Sequence, residues 1–235
     1  MYQKAVQLEL PFDTFICHTQ HTTKHGISPA NFEMLLKNSH LCGIINLIKF
    51  GKENTMSSLV LINASCADQV VDAVVNAANN RLWAGGGICG VIFRKAGVAQ
   101  LQKACSAYTT PLKDGDAVIT PAFNMTNAKH IIHAVGPDFA RTPTAFKELF
   151  DAYYNSLCVL MQNDLHSISF PLISSGIFGG NLSNPVGEST KQCCRAFNKF
   201  IADYPDYDVD VKLCAFSASE MQQAQVVFDT MQNNI

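Results

Sequence analysis

Two glycine-bearing segments each follow directly on an apolar, strand-like run: Asn76-Ala77-Ala78-Asn79 leading into Gly85-Gly86-Gly87, and Ser174-Ser175-Gly176-Ile177-Phe178-Gly179. A loop whose residues lack Cβ atoms can bring several backbone N–H groups onto one anion, and a following helix adds the positive end of its dipole. Two such loops hold a diphosphate between them only where the fold sets their strand ends side by side. The chain is therefore constrained to an architecture with neighbouring parallel strands.

The remaining pattern supplies that architecture. Predicted strands at 59–63, 72–76, 117–120, 131–135, 168–173 and 209–216 alternate with predicted helices at 88–105, 144–163, 186–204 and 219–231. This alternation predicts an α/β fold, a three-layer α-β-α sandwich with a mostly parallel central sheet. Ligands in such sheets bind beyond the carboxyl ends of the strands, where both glycine loops fall. A polar, glycine-containing turn at 50–55 separates an N-terminal extension, 1–55, from the domain at 56–235. No internal repeat, heptad or low-complexity tract appears, which excludes solenoids and coiled coils.

Composition narrows the partners. With 235 residues, 48% of them hydrophobic, the chain fits one well-buried domain with an appendage. A net charge of −2 and only 15% charged residues mark no polyanion-binding surface, so charge indicates no nucleic-acid partner. Nine cysteines, an odd number without framework spacing, read as reduced, packed thiols. The segment Met1-Tyr2-Gln3-Lys4-Ala5-Val6-Gln7-Leu8 has no apolar signal region, and no stretch reaches the ~20 apolar residues of a membrane span. The expected setting is cytoplasmic, in the producing cell or a host cell, with no membrane partner.

The run Val74-Val75-Asn76-Ala77-Ala78-Asn79-Asn80-Arg81-Leu82-Trp83-Ala84-Gly85-Gly86-Gly87-Ile88-Cys89-Gly90 resembles the macrodomain family of ADP-ribose-binding modules in order and spacing. His130-Ile131-Ile132-His133-Ala134-Val135-Gly136-Pro137 is similar to the family's central strand. Phe170-Pro171-Leu172-Ile173-Ser174-Ser175-Gly176-Ile177-Phe178-Gly179 is similar to its second phosphate loop. The resemblance spans 57–235 and implies ADP-ribose or an ADP-ribosylated macromolecule as ligand, with no cofactor and no metal.

The chemistry of each residue then suggests its role. Asn79 both donates and accepts, which suits orientation of a ribose hydroxyl or a water; its bland alternative is a turn residue. By resemblance it lies against the distal ribose and is the expected catalytic residue. Asn76 is expected to bridge neighbouring loops through its amide. Gly85, Gly86 and Gly87, with Ile88 and Cys89 at the start of the next helix, form the first cradle. Ser174, Ser175, Gly176, Ile177, Phe178 and Gly179 form the second, with Phe178 as a lid. Phe216, after the strand Val211-Lys212-Leu213-Cys214-Ala215, sits where the family stacks an aromatic on adenine; a core role is its alternative.

Two departures from the family limit what carries over. Many macrodomains have an aspartate that accepts from the adenine amino group, and here that position is Ser65, a weaker acceptor, with Asp68 one helical turn on. The similar hydrolase branch has an aspartate two residues after the glycine triplet, where this chain has Cys89. Cys89 is either a thiolate activated by the helix N-terminus or a small buried thiol, the commoner role. Apart from these, Cys17, His18, His21 and His25, followed by His40 and Cys42, could form a zinc site or a polar surface loop. The expected function is ADP-ribose binding with hydrolysis at the distal ribose. Alternatives are a reader without turnover, and a binder of another nucleotide-derived ligand, which Ser65 keeps open.

Overall fold

The computed structural model describes residues 57–233, which fall in the unit Asn54–Ile235. In chain order the elements are β1 (Ser58–Asn63), β2 (Ala73–Ala78), α1 (Gly87–Ala96), α2 (Val98–Cys105), β3 (Ala117–Pro121), β4 (His130–Val135), α3 (Phe146–Gln162), β5 (Ser167–Pro171), α4 (Pro185–Asp203), β6 (Asp210–Ala215) and α5 (Ala218–Gln232). Six strands form one sheet in the order β1-β6-β5-β2-β4-β3. Every pairing is parallel except β3 with β4. Helices cover both faces, giving the expected α-β-α layering.

The sheet interior explains its sequence. Strand β2 reads AVVNAA and is buried along nearly its whole length, as a central parallel strand covered on both sides must be. One core joins the sheet to α3 and α4 through Leu149, Tyr153, Leu157, Ala196, Phe197 and Phe200. The 3–4 residue spacing of the α3 members gives that helix its apolar stripe. A second core lies on the opposite face, where Ile92, Phe93 and Ala96 of α1 meet Leu101 and Cys105 of α2. Each such large side chain contributes ~1.5–3 kcal/mol on burial.

Three polar devices fix the edges of this frame. The Asp72 carboxylate accepts from His166 N (3.1 Å), Ser167 N (3.1 Å), Ser167 Oγ (2.9 Å) and Lys129 Nζ (2.9 Å), tying the start of β2 to the start of β5. Burial raises its pKa, but the Lys129 ammonium and the Ser167 and His166 donors prevail and hold it at about 2. Asn184 caps α4 by accepting from Gly187 N at 2.8 Å, with Pro185 in the first turn. Ser217 and Glu220 form a reciprocal capping box at α5.

Three predicted elements end differently, and the first is the strand expected over 72–76, which runs two residues further, to Ala78. The helix expected over 88–105 is broken at Gly97, whose φ of 97° no helix contains; its N–H closes α1 onto Phe93 O and the chain restarts as α2. The strand expected over 168–173 stops at Pro171, and Leu172 and Ile173 already belong to the loop beyond the sheet.

His133 of β4 is wholly buried, and burial drives its pKa from 6.5 down to about 4. Between those values only the unfolded chain takes up the proton. Stability is therefore full above pH 6.5 and falls as the pH drops towards 4, by about 3 kcal/mol for this group. Urea denaturation at a series of pH values should show this fall in the wild type and a shallower one in His133→Gln. An equally steep fall in the variant would assign the dependence to other groups.

Candidate functional site

A cavity of about 660 Å³ opens at the carboxyl ends of the strands. This lies within the range of small-molecule sites, ~300–1,000 Å³. The sheet order sets its layout: Ser65 follows β1, Phe216 follows β6, Ser174–Phe178 follow β5, Asn79 and Gly85–Gly87 follow β2, and Gly136 follows β4. The two glycine loops therefore flank its middle, on adjacent strands ~4.8 Å apart.

The first cradle is the N-terminus of α1. Gly86 is the N-cap, with no side-chain cap and no acidic residue in the first turn. The first intrahelical bond runs from Gly90 N to Gly86 O, so the N–H groups of Gly87, Ile88 and Cys89 precede it. Gly87 has φ +56°, which a side chain rarely adopts, whereas Gly86 is extended (φ −83°, ψ −176°) and a Cβ there would meet nothing within 4 Å. The helix starts at Gly87, one residue earlier than predicted.

The second cradle is one tight turn, in which Gly179 N bonds Gly176 O at 2.9 Å. Its hydroxyls do not face a ligand as donors. Ser174 Oγ donates to Pro137 O (2.8 Å) and Ser175 Oγ donates to Leu172 O (2.8 Å), so these serines hold the loop. Beneath it, Tyr153 Oη accepts from Ile173 N (2.9 Å) and lies 2.7 Å from Ser189 Oγ, which donates to Ile173 O (2.7 Å). Phe139 N also donates to Phe178 O (2.9 Å). What this rigid loop offers an anion is backbone N–H, from Gly176, Ile177 and Phe178. Phe178 is half-buried on the cavity wall, whereas Ile177 is 90% exposed.

Asn79 lines the cavity beside the first cradle, its Nδ2 3.7 Å from where a Cβ on Gly85 would stand. Its Oδ1 accepts from Arg81 N (3.2 Å) and Trp83 N (3.1 Å), which occupies both lone pairs. Nδ2 gives one hydrogen to Trp83 O (2.7 Å) and keeps the other. Asn79 thus organises its loop, and towards a ligand it is a donor only, where the sequence suggested both capacities. Gln102 pins the same loop independently, accepting from Ala84 N (3.1 Å) and donating to Leu82 O (3.2 Å).

At the opposite end Phe216 is 77% exposed just past β6, so the core alternative does not hold. Ser65 lines the cavity nearby. Asp68 does not reach it: this carboxylate is ion-paired with Lys95 on the protein surface. The sequence reading missed Glu220, among the described residues the only charged one lining the cavity. Its signal was the capping-box spacing Ser217-x-x-Glu220 directly after Phe216.

Two expectations need correction, and the alternatives at Cys89 are decided. Asn76 bridges strands, not loops: it lies within β2 opposite His133, 1% exposed, and its Nδ2 contacts His133 Nδ1 at 3.1 Å. Since β2 runs on to Ala78, Asn76 is two residues below the cavity rim and does not line it. Gly179 is likewise outside the lining; a Cβ there would come within 2.8 Å of Pro185 Cβ, so it serves loop-to-helix packing. The Cys89 thiol lines the cavity, but burial pushes its pKa up against hydrogen bonding from Gly85 and Asn76, the reverse of thiolate activation. Its Sγ approaches Trp83 O at 3.7 Å. The Cys17, His18, His21, His25, His40 and Cys42 cluster lies outside the described residues.

These features make a cavity at the strand ends of an α/β sheet with backbone N–H groups at its middle, and comparison with known proteins identifies the family. The sequence profile of the Macro domain matches residues 75–186. The chain is 34% identical to the ADP-ribose glycohydrolase MACROD1 of Rattus norvegicus over 179 residues, 75% of this chain and 67% of that protein. It is 38% identical to the O-acetyl-ADP-ribose deacetylase of Salmonella typhimurium over 151 residues, covering 63% and 82% of the two chains. Among solved structures, the Oceanobacillus iheyensis macrodomain with ADP superposes with a TM-score of 0.69 at 28% identity, covering 79% of this chain and 96% of that one. The chain belongs to the macrodomain family.

Proposed function

We propose that the protein binds ADP-ribose, free or attached to a macromolecule, and hydrolyses the bond at the distal ribose. The observation that carries this reading is the pair of backbone N–H cradles at one cavity that, among the described residues, no cationic side chain lines. A diphosphate is held there by directed N–H groups and a helix dipole. The distal ribose then lies towards Asn79 and Gly136, and the base towards Phe216. The names of the rat and Salmonella relatives and the ADP of the Oceanobacillus structure support the same ligand class.

Among the described residues no imidazole or carboxylate lines the cavity beside Asn79, and burial pushes the Cys89 thiol pKa up, away from the thiolate. In the mechanism we favour, a water held against a diphosphate oxygen attacks the anomeric carbon. Its oxygen forms the new bond as the bond to the acceptor breaks, and its proton passes by way of that diphosphate oxygen to the departing acceptor atom. The free Nδ2 hydrogen of Asn79 orients the ribose, so rate comes from positioning within a preorganised site. The setting we propose is a reducing cytoplasm, supported by the seven described cysteines, all buried and none in a disulfide.

Calorimetric titration with ADP-ribose should give a Kd in the micromolar range or tighter, ~−8 kcal/mol at 1 μM. AMP and ADP, which lack the distal ribose, should bind more weakly. Absence of both heat and thermal stabilisation at millimolar ligand, with folded protein, would sink the reading. Binding without release of ADP-ribose from any ester-, serine- or base-linked acceptor would leave a reader.

A further inference from the structure

Glu220 stands out because an anion-binding cavity is a costly place for a carboxylate. Helix capping accounts for half of it: Oε2 accepts from Phe216 N (2.8 Å) and Ser217 N (2.9 Å), while Ser217 Oγ accepts from Glu220 N (3.1 Å). Its other oxygen, Oε1, accepts no hydrogen bond among the described residues, although Glu220 lines the cavity. The two backbone bonds fix the carboxylate beside Phe216, whose ring is 77% exposed. The charge sits on α5, following β6, while the cradles follow β5 and β2. Repulsion of the diphosphate is thereby kept to the far end of the ligand.

A fixed carboxylate oxygen only accepts, and an exposed phenyl face only stacks. The complementary ligand end is a flat ring bearing an N–H donor at its edge, and repulsion between lone pairs disfavours a ring with a carbonyl there. We infer that Glu220 is the specificity-determining residue for the base, its Oε1 accepting from the exocyclic amino group of an aminopurine stacked on Phe216. The Ser65 hydroxyl then has no need to supply the acceptor. This inference rests on the ADP-ribose reading above.

The test compares ADP-ribose with its analogue in which hydrogen replaces the 6-amino group, by calorimetry. Glu220→Gln keeps an oxygen for the Phe216 and Ser217 N–H groups and replaces the free acceptor with a donor; its melting curve checks that the cap survives. A hydrogen bond to a charged group is worth about tenfold to a hundredfold in affinity. Wild type should therefore prefer ADP-ribose by at least about tenfold. Glu220→Gln should bind ADP-ribose about tenfold more weakly and discriminate less than about twofold, while Ser65→Ala keeps the preference. Equal binding of the two ligands by wild type would overturn the inference without needing a variant. So would an undiminished preference in Glu220→Gln, or its loss in Ser65→Ala alone. Failure of folded wild type to bind either ligand would instead remove the ADP-ribose reading on which it stands.

Discussion

Gly86→Glu is expected to weaken ADP-ribose binding at least tenfold while leaving the fold intact. Two observations make this a clean substitution. The residue is extended, at φ −83° and ψ −176°, so a side chain costs no backbone strain, and a Cβ would meet nothing within 4 Å. The new carboxylate then occupies the mouth of the first cradle, where the diphosphate must lie. Two unit charges at 4 Å repel by ~4 kcal/mol at a near-surface dielectric, against the ~1.4 kcal/mol that a tenfold loss requires. Gly86→Gln, equal in size and uncharged, separates steric from electrostatic loss and should bind more tightly than Gly86→Glu. Gly87→Glu would be a poorer choice, because φ +56° would strain any side chain. Calorimetry together with thermal melting reads both quantities. Unchanged affinity in folded Gly86→Glu would mean that the N-terminus of α1 is not a phosphate cradle.

The sheet and its two loops were legible because a parallel strand buried on both faces must be an apolar run, and a glycine cluster directly after it can only lie at its carboxyl end. What remained hidden depends on register and on tertiary direction. Asn76 and Asn79 are three residues apart, and the sequence pattern alone ends the strand at Asn76, two residues short. Because the strand runs to Ala78, Asn76 turns into the sheet against His133 and Asn79 alone reaches the cavity. Asp68 is one turn from Ser65, yet a surface lysine on α1 draws it away from the base end. Gly97 inside an apolar pattern reads as a tolerated interruption, until its positive φ shows a break. The capping box at Ser217 could be read directly, but not that its glutamate would line the cavity, since that depends on how α5 is set against the end of β6.

Asn79→Ala should lower the rate of ADP-ribose release by one to three orders of magnitude, with a far smaller change in ADP-ribose affinity. The size follows from losing an orienting or transition-state contact, ~1.4–4 kcal/mol of barrier. The asymmetry follows from the proposed mode of binding. Asn79 offers the ligand a single donor hydrogen, whereas the diphosphate is held by backbone N–H groups that the substitution leaves in place. Its three contacts to Arg81 and Trp83 are also lost, but Gln102 still holds Leu82 and Ala84, and Leu112 N still donates to Asn80 O at 2.8 Å. Collapse of the loop would lower affinity and rate together; loss of ribose orientation lowers rate alone. Cys89→Ala retains the Cys89 N–H and removes only a protonated thiol, so release should stay within about threefold of wild type. Single-turnover release from mono-ADP-ribosylated acceptors, alongside calorimetry on each variant, distinguishes the cases. An inactive Cys89→Ala beside an active Asn79→Ala would replace the water mechanism with a covalent one, in which the Cys89 sulfur attacks the anomeric carbon as the bond to the acceptor breaks and the thiol proton passes to the departing acceptor atom; water then hydrolyses the sulfur-linked intermediate.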